Sequence, residues 1–329
     1  MEVLILTETE LRRCVAIDDE ALAAVENAFT WLQEGRVEMP PIMHIEVADN
    51  NGDVDIKSAY VRGLDRFAVK LGSGFFDNPS LGLPSSNAMM VMLSARTGIC
   101  EAVLLDNGYL TDLRTGLAGA VAAKHLAPKQ VQTVGVIGSG AQARYQIESL
   151  KLVRDFDRLL VSARSEQRLF TYVEEMRSKL GVEVAVADDI NELVRESDLV
   201  VTTTSSKQAL IDVGSLHPGL HITAMGSDLT GKQELDAKVL EAADRVVCDR
   251  LSQCEIMGEL QHVQDRTHLE STRKLLELGE VTSGTASGRE NDQQITVCDL
   301  TGTGVQDTAI AQLAYEKAAA LGEGTRINL

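Results

Sequence analysis

The sequence predicts an α/β protein in which a doubly wound parallel sheet is accompanied by a mainly antiparallel α+β domain. The first observation is a strand, a glycine turn and a helix within residues 131–151. The second is the alternation of apolar strands and helices that begins there, which implies a parallel sheet covered on both faces. The third is that the preceding residues form short extended segments separated by turn residues, a pattern typical of antiparallel pairing.

Composition limits the classes of function. A chain of 329 residues has room for about two domains. Its formal net charge of -18 argues against nucleic acid and membrane partners, because binding to phosphates requires clustered Lys and Arg. The N-terminal sequence is not typical of a signal peptide, and no apolar stretch approaches the ~18 residues of a membrane span. The five cysteines lack metal-ligand spacing, so we expect buried thiols, no metal site and a cytoplasmic enzyme.

The first domain is predicted to span residues 1–127. A strand at 3–6 and an amphipathic helix at 18–31 precede Met39-Pro40-Pro41, which breaks the helical pattern. Five extended segments follow, at residues 43–47, 53–60, 66–71, 88–94 and 100–106. A helix rich in small residues then runs from about Thr111 to Leu126, and Pro128 marks the domain boundary.

The second domain is predicted to span residues 128–304. Its strands are expected at 131–137, 158–162, 182–186, 199–204, 221–225 and 245–248, and its helices at 141–151, 166–180, 190–196 and 235–242. The chain after Leu251 is expected to be helical to about Gly279, before a last strand at 294–299 and a terminal helix at 305–321. Ligands bind such sheets at the carboxyl ends of the strands.

The turn at residues 138–143, which reads GSGAQA, is typical of a Rossmann-type dinucleotide site. Gly138 permits the tight turn, Gly140 lets the backbone approach a pyrophosphate, and the small Ala143 packs the helix on the strand. Free N–H groups at the helix start attract the anion. An ordinary glycine-containing turn is the alternative, but the strand before it and the helix after it favour the dinucleotide. Ser139, Ala141 and Gln142 complete the predicted phosphate loop.

The cofactor is expected to be NAD(H) or NADP(H). Residues 161–165 read VSARS and lack the acidic residue that would bind the adenosine ribose. Arg164 beside Ser165 suits a 2′-phosphate and favours NADP(H), whereas NAD(H) remains open if Arg164 is only a surface residue at a helix start. Further predicted cofactor contacts are Thr204, Met225, Gly226, Ser227 and Lys232.

Three charged residues are candidates for chemistry. Lys70 ends a predicted strand before Gly72-Ser73-Gly74, although a charged strand residue is often merely solvated. Arg114 lies in the first turn of a predicted helix, where a cation is unfavourable, and this placement favours a specific anionic partner such as a carboxylate. Asp228 follows an apolar strand of the nucleotide-binding domain and could serve as a general base, or could be a common turn residue.

Several motifs together resemble the ornithine cyclodeaminase and μ-crystallin family. They are Lys70 before a Gly-rich turn, Asp112-Leu113-Arg114-Thr115, the glycine turn, Gly226-Ser227-Asp228 with residues 231–235, and residues 302–307, in the family's order over nearly the whole chain. Residues 74–79 (GFFDNP) and 104–110 (LLDNGYL) resemble the branch encoded with ectoine utilisation genes.

The resemblance implies a homodimer whose first domain, completed by residues 305–329, holds an amino-acid or imino-acid substrate. In that family the counterpart of Lys70 contacts the substrate near its carboxylate and reacting nitrogen, and that of Arg114 binds the carboxylate. The counterpart of Asp228 is the acid/base beside the nicotinamide. Asp55 takes the place of an acidic residue that meets the substrate amine or a water. A second family arginine is absent from residues 40–44, so we expect Lys57 or His44 to substitute, and the substrate need not be ornithine.

The leading expectation is an NAD(P)(H)-dependent oxidoreductase that acts at the Cα–N bond of a small amino acid or its imine, as a ketimine reductase or an amino-acid dehydrogenase. The first alternative is a cyclodeaminase that releases ammonia and regenerates its cofactor within each cycle. The second is a non-enzymatic, crystallin-like protein that binds small molecules.

Overall fold

The computed structural model describes residues 2–328, and the chain divides into two compact units. The first unit comprises Met1–Arg114 with Thr303–Leu329, and the second comprises Thr115–Gly302. The sequence predicts the first boundary after residue 127, where Pro128 ends the helix, whereas the division between the units falls earlier, inside that helix. Among residues 2–328, each helix is too short or too polar to cross a lipid bilayer.

The first unit is built on one eight-stranded sheet covered by helices. Its strands are β1 (Glu2–Thr7), β2 (Val37–Glu38), β3 (Met43–Val47), β4 (Gly52–Val61), β5 (Arg66–Phe75), β6 (Ser86–Ser94), β7 (Cys100–Leu105) and β18 (Thr325–Asn328). Its helices are α1 (Glu8–Cys14), α2 (Asp19–Gln33) and α11 (Gly304–Leu321), and α3 (Tyr109–Leu126) begins in it; short 3₁₀ helices are Ala48–Asn50 and Asn78–Leu81.

The strand order of this sheet is β18-β1-β7-β6-β5-β4-β2, with β3 also paired to β4. All pairs are antiparallel except β1 with β7, so the mainly antiparallel prediction is confirmed. Successive side chains of a strand point to opposite faces of the sheet, and in β5 Ala68 and Lys70 are buried while Val69 is half-buried. One face of the sheet is therefore covered within the unit.

Helix α11 lies against the covered face at β4 and β5. Thr308 Oγ1 donates to the Ala59 carbonyl (2.7 Å) and accepts from the Ala68 amide (3.1 Å). A Cβ atom at Gly304 would lie 2.6 Å from the Ser58 carbonyl oxygen, so only glycine allows this approach. The last long helix is thereby fixed on the sheet next to Lys70.

The second unit is built on an eight-stranded parallel sheet. Its strands are β8 (Thr133–Ile137), β9 (Arg158–Ser162), β10 (Glu183–Val186), β11 (Leu199–Thr202), β13 (His221–Ala224), β15 (Arg245–Cys248), β16 (Leu275–Glu277) and β17 (Thr296–Asp299), and β12 (Lys207–Ile211) pairs separately with β14 (Gln233–Leu235). Its helices are α4 (Ala141–Leu150), α5 (Glu166–Leu180), α6 (Ile190–Glu196), α7 (Ala237–Ala242), α8 (Leu251–Met257), α9 (Thr267–Ser271) and α10 (Leu278–Thr282), with 3₁₀ helices at Val213–Ser215 and Glu259–His262.

The order β10-β9-β8-β11-β13-β17-β15-β16 confirms the predicted doubly wound sheet. The chain runs outward through β8, β9 and β10 and then returns to place β11 on the other side of β8. The direction of winding therefore reverses between β8 and β11. Ligands of open α/β sheets bind at such a reversal, beyond the carboxyl ends of the strands.

Five short strands were not predicted: β2, β12, β14, β16 and β18. Residues 235–242, predicted as one helix, divide into the end of β14 and α7, because Asp236 caps the helix by accepting from the Lys238 amide (2.9 Å). The region after Leu251, predicted to be helical, contains β16. These strands are two to five residues long, so their apolar pattern is too short to distinguish a strand from a turn.

Candidate active site

A cavity of about 640 Å³ lies beside the glycine turn of the second unit. Gly138 has φ of +122°, and a Cβ atom there would lie 2.3 Å from Thr203 Oγ1, so the turn requires glycine. At Gly140 a Cβ would meet nothing within 4 Å, so this side of the turn is open. The cavity is lined by Ile137, Gly138, Ser139, Gly140, Ser162, Ala163, Arg164, Ser165, Arg168, Asp188, Asp189, Ile190, Asn191, Thr203, Thr204, Ser205, Ser206 and Leu210.

The start of α4 suits a phosphate group. Its N-cap is Gly140, which has no side chain to accept from the first amides of the helix, so those N–H groups are available to an anion. Arg144 Nη1 donates to the carbonyls of Ser139 and Gly140, each at 2.9 Å, and so holds the turn from its other side. The residues present therefore fit a dinucleotide pyrophosphate.

The predicted cofactor residues fall into two groups. Those that line the cavity are Gly138, Ser139, Gly140, Arg164, Ser165 and Thr204. Those that do not are Ala141, Gln142 and Ala143, which begin α4, and Met225, Gly226, Ser227 and Lys232, which follow β13. Arg168 also lines the cavity and was missed, because it lies one turn beyond Arg164 on α5, where an arginine resembles a solvated helix residue.

In the first unit, Lys70 and Arg114 meet at one buried carboxylate, that of Asp307. Arg114 Nε donates to Asp307 Oδ1 (2.9 Å), and Lys70 Nζ lies 3.0 Å from Oδ2. All three residues are at most 4% exposed. Asp307 was not predicted as a site residue, because an acidic residue in the first turn of a helix is commonly there for the helix dipole alone.

Two cations, Lys70 and Arg114, share the one carboxylate of Asp307. Lys57 lies opposite Lys70 in the pairing of β4 with β5 and is also buried. Burial, reinforced by the charges of Arg114 and Lys57, lowers the pKa of Lys70 to about 7 although Asp307 opposes the shift. Burial acts to raise the pKa of Asp307, but Arg114, Lys70 and Lys57 together hold it below its usual value. The cluster therefore suits a further anion.

The structure corrects two expectations about these residues. Lys70 does not end its strand: β5 continues to Phe75, so Gly72-Ser73-Gly74 is strand and not a turn. Arg114 is not in the first helical turn, because α3 begins at Tyr109. The unfavourable helix dipole therefore does not explain its position, and its pairing with Asp307 does.

Asp55, expected near a substrate amine, lies opposite His44 in the pairing of β3 with β4. His44 Nδ1 is 2.7 Å from Asp55 Oδ1, and this contact raises the pKa of His44. Asp106, at the end of β7, was not singled out by the sequence. Burial raises its pKa to about 6, and its Oδ2 accepts from the Leu110 amide (2.8 Å) at the start of α3.

Asp228 lies in the loop after β13, as predicted. Its side chain is 49% exposed, and its Oδ1 lies 2.5 Å from Lys232 Nζ. The neighbouring Ser227 is buried, and its Oγ donates to the Lys232 carbonyl (2.9 Å). The carboxylate is thus presented on a loop whose two sides are hydrogen-bonded to each other.

The sequence predicted no metal site, but one group of side chains has atoms that could bind a metal ion. Cys248, Cys254 and Asp299 are buried with potential ligand atoms within 4.8 Å of one another. Burial raises the pKa of the Cys254 thiol well above its ordinary value and that of Asp299 to about 7. Metals bind thiolates and carboxylates, so these surroundings disfavour the ionised forms that a metal requires. All five cysteines are free thiols.

Comparison with known proteins places these features in context. The sequence profile of the ornithine cyclodeaminase/mu-crystallin family matches residues 1–322. An uncharacterised cyclodeaminase from Sinorhizobium fredii is 45% identical over 315 residues, which cover 95% of each chain. Alanine dehydrogenase from Archaeoglobus fulgidus is 36% identical over 330 residues, which cover 99% of this chain and 98% of that one.

Two solved structures have the same fold. An archaeal alanine dehydrogenase dimer with bound NAD superposes with a TM-score of 0.91 at 34% identity, with both chains fully covered. The Thermococcus litoralis Δ¹-pyrroline-2-carboxylate reductase, in complex with NADH and L-proline, has a TM-score of 0.91 at 29% identity. That alignment covers 99% of this chain and 100% of the other.

Proposed function

This chain belongs to the ornithine cyclodeaminase/mu-crystallin family, and from that membership we propose that it is an NAD(P)(H)-dependent oxidoreductase. It acts at the Cα–N bond of a small amino acid or its imine. The observation that carries the proposal is the buried meeting of two basic side chains, Lys70 and Arg114, at the single carboxylate of Asp307. A substrate carboxylate supplies the anion that this cluster lacks.

Each residue has a defined role in the proposed reduction. Arg114 and Lys70 bind the substrate carboxylate, since guanidinium and ammonium groups form charge-assisted hydrogen bonds with it. Asp228 exchanges the proton of the substrate nitrogen or of a water. A bound NAD(P)H would supply the hydride to Cα as the C=N π bond breaks and nitrogen takes a proton. One imine, one proton and one NAD(P)H would thus give one amine and one NAD(P)⁺.

Cyclodeamination is the second candidate, and the name of the Sinorhizobium fredii relative favours it. That reaction requires a substrate with a second amino group. The two cations Lys70 and Arg114, which share one carboxylate, disfavour a second positive charge beside them. The geometry therefore supports reduction or dehydrogenation better than cyclisation.

Absorbance of NAD(P)H separates the candidates. Purified protein is given NAD(P)H with Δ¹-pyrroline-2-carboxylate, or with 2-oxo acids and ammonia, and separately NAD(P)⁺ with ornithine, lysine or alanine. Consumption of NAD(P)H by an imino acid, or its formation from alanine, supports the proposal. Ammonia release from a diamino acid with no net absorbance change supports the cyclodeaminase. Cofactor binding without turnover of any substrate supports the non-enzymatic role.

We propose a preference for NADP(H) over NAD(H). Arg164 and Arg168 both line the cavity, and Ala163 stands where a ribose-binding carboxylate would be expected. Within residues 2–328, neither guanidinium is paired with a carboxylate. Two arginines next to Ser165 suit the 2′-phosphate, which carries the charge that NAD lacks.

We also propose a homodimer formed through the uncovered face of the first unit's sheet. Val69, Val91 and Val103 are paired neighbours on β5, β6 and β7, and all three are only half-buried. Met43 and Ile45 on β3 add exposed apolar surface. A continuous apolar sheet face of this kind is typical of a subunit interface. A cytoplasmic location is proposed because free thiols persist in reducing compartments.

A further inference from the structure

We propose that Glu234 is a positioning residue of the second unit, which fixes the cofactor-lining loop after β11 and the Asp228 loop after β13 in one arrangement. The proposal rests on the proposed function for the role of Asp228. Its structural part, the joining of two loops by one carboxylate, does not depend on which reaction occurs.

The carboxylate of Glu234 is fully buried and accepts hydrogen bonds from both loops. Its Oε1 accepts from the Thr204 amide (2.5 Å). Its Oε2 accepts from the Gly226 amide (2.8 Å) and from Thr202 Oγ1 (2.5 Å). Thr204 lines the cavity, and Gly226 begins the segment that carries Asp228. One side chain from β14 therefore holds both segments.

These contacts continue the sheet beyond its last paired residues. Strands β11 and β13 are neighbours whose pairing ends with Thr202 opposite Ala224. Past that point the amides of Thr204 and Gly226 have no partner in the ladder, and they need other acceptors because a buried unpaired N–H group is costly. The Glu234 oxygens supply acceptors for Thr204 and Gly226. The two loops are thus hydrogen-bonded to the two oxygens of one carboxylate.

The approach of Glu234 also explains why residue 226 is glycine. A Cβ atom there would lie 2.2 Å from the Thr204 carbonyl oxygen and 2.5 Å from Glu234 Cδ. No larger residue fits between the loop and the carboxylate. Gly226 and Glu234 therefore pack directly against each other.

Glu234 is itself held by a second buried carboxylate. Glu259 Oε1 accepts from the Glu234 amide (2.8 Å), and Oε2 accepts from the Leu235 amide (3.0 Å). The backbone of β14 is thereby fixed at the residue whose side chain joins the loops. Burial raises the pKa of Glu234, and the donated hydrogen bonds oppose that rise.

The variant Glu234→Gln tests the proposal. Glutamine keeps the shape but replaces one acceptor oxygen with an NH₂ group, so either Thr204 or Gly226 loses its acceptor. We expect the Kd of NAD(P)H, measured by fluorescence without substrate, to rise at least ~5-fold, as for a lost hydrogen bond to a charged group. We expect kcat to fall at least ~10-fold while the substrate KM changes less than ~3-fold, because Glu234 does not touch the substrate.

Hydrogen exchange gives a readout that needs no turnover. Peptides covering residues 203–206 and 226–228 should exchange faster in the variant, while peptides from the rest of the second unit do not. The control is Glu277→Gln, whose carboxylate also accepts from a backbone amide, that of Leu251 (2.8 Å), in a different side-chain network. The control should leave the cofactor Kd and both loop peptides unchanged.

Two results would overturn the proposal. One is unchanged exchange of both loops with unchanged cofactor Kd in Glu234→Gln. The other is faster exchange throughout the second unit, with kcat per folded molecule unchanged, which would make Glu234 a general stability residue. If the wild-type protein turns over no substrate, the proposed function fails, but the cofactor Kd and the exchange of the two loops still decide whether Glu234 joins them.

Discussion

Replacing Asp307 with Asn tests whether the carboxylate controls the proton on Lys70. The variant is nearly isosteric, and its amide oxygen can still accept from Arg114 Nε. It removes the negative charge that lies 3.0 Å from Lys70 Nζ. Burial and the charges of Arg114 and Lys57 then act on Lys70 without their main opposing partner. The pKa of Lys70 must fall below its present value of about 7.

The size of the effect follows from the distance. Two unit charges 3.0 Å apart attract by about 5.5 kcal/mol at an effective dielectric constant of about 20. Arg114 shares the carboxylate, so only part of this energy acts on Lys70. One pKa unit corresponds to ~1.4 kcal/mol, which is about a quarter of this attraction. Loss of that quarter alone lowers the pKa of Lys70 by ~1 unit. The protonated fraction of Lys70 then falls ~5-fold at neutral pH and ~10-fold at higher pH.

The pH dependence of kcat/KM measures this shift, because it reports ionisations of the free enzyme. In the proposed reduction Lys70 acts in its protonated form, so kcat/KM of the wild type falls as pH rises through about 7. In Asp307→Asn the fall should move to lower pH by at least ~1 unit, with kcat/KM at neutral pH reduced at least ~5-fold. Cofactor binding by the second unit should be retained.

A matched control is Glu323→Gln, which removes an exposed carboxylate of the same unit that pairs with Arg13 at 2.6 Å. Exposed ion pairs contribute little, so this variant should leave the profile unchanged. Circular dichroism and NAD(P)H fluorescence identify a variant that has failed to fold. A folded Asp307→Asn protein whose descending limb stays in place would refute the electrostatic reasoning.

Three further predictions concern the other residues. Asp228→Asn should lower turnover at least ~10²-fold with cofactor Kd retained, as expected for loss of an acid/base. The control Asp155→Asn, at an exposed position, should change neither quantity. Unchanged turnover of Asp228→Asn would contradict the assignment. Arg164→Ala with Arg168→Ala should weaken NADPH binding at least ~10-fold and leave NADH binding nearly unchanged. Lys179→Ala, on the helix that carries Arg168, should affect neither, and equal loss for both cofactors would contradict the 2′-phosphate role. Val91→Glu should convert a dimer into a monomer in analytical ultracentrifugation. The control Val186→Glu, at an exposed position of the second unit, should leave the dimer intact. A monomeric wild type would contradict the proposed interface.

The regular elements of the second unit were predictable from local pattern. The bounds of β9, α5 and α6 agree with the predicted ones, because apolar periodicity there coincides with helix caps. Ser165 accepts from the Arg168 amide (3.4 Å) and Asp189 from the Glu192 amide (3.0 Å), so each helix start is specified by a nearby side chain. Short strands such as β16 and β18 depend on a distant partner strand for their existence, and local pattern does not contain that information.

The family resemblance is confirmed, whereas the roles of Lys70 and Arg114, which the sequence singled out, stay predictions. The sequence did not indicate that both bind Asp307, because the partner lies 237 and 193 residues further along the chain. The strand position of Lys70 was misjudged because Gly72-Ser73-Gly74 is typical of a turn, whereas these residues pair with β4 and β6. Its burial was not expected, because a lysine on a strand is usually solvated unless a buried counter-charge is known.

The order of the chain has a consequence for biosynthesis. The first unit is interrupted after Arg114 by the entire second unit and resumes at Thr303. Lys70 and Arg114 are therefore synthesised long before the Asp307 carboxylate that they contact. A nascent chain that ends before α11 lacks this carboxylate and also lacks the helix that covers β4 and β5. The second unit can therefore complete its sheet before the last segment of the first unit has been synthesised.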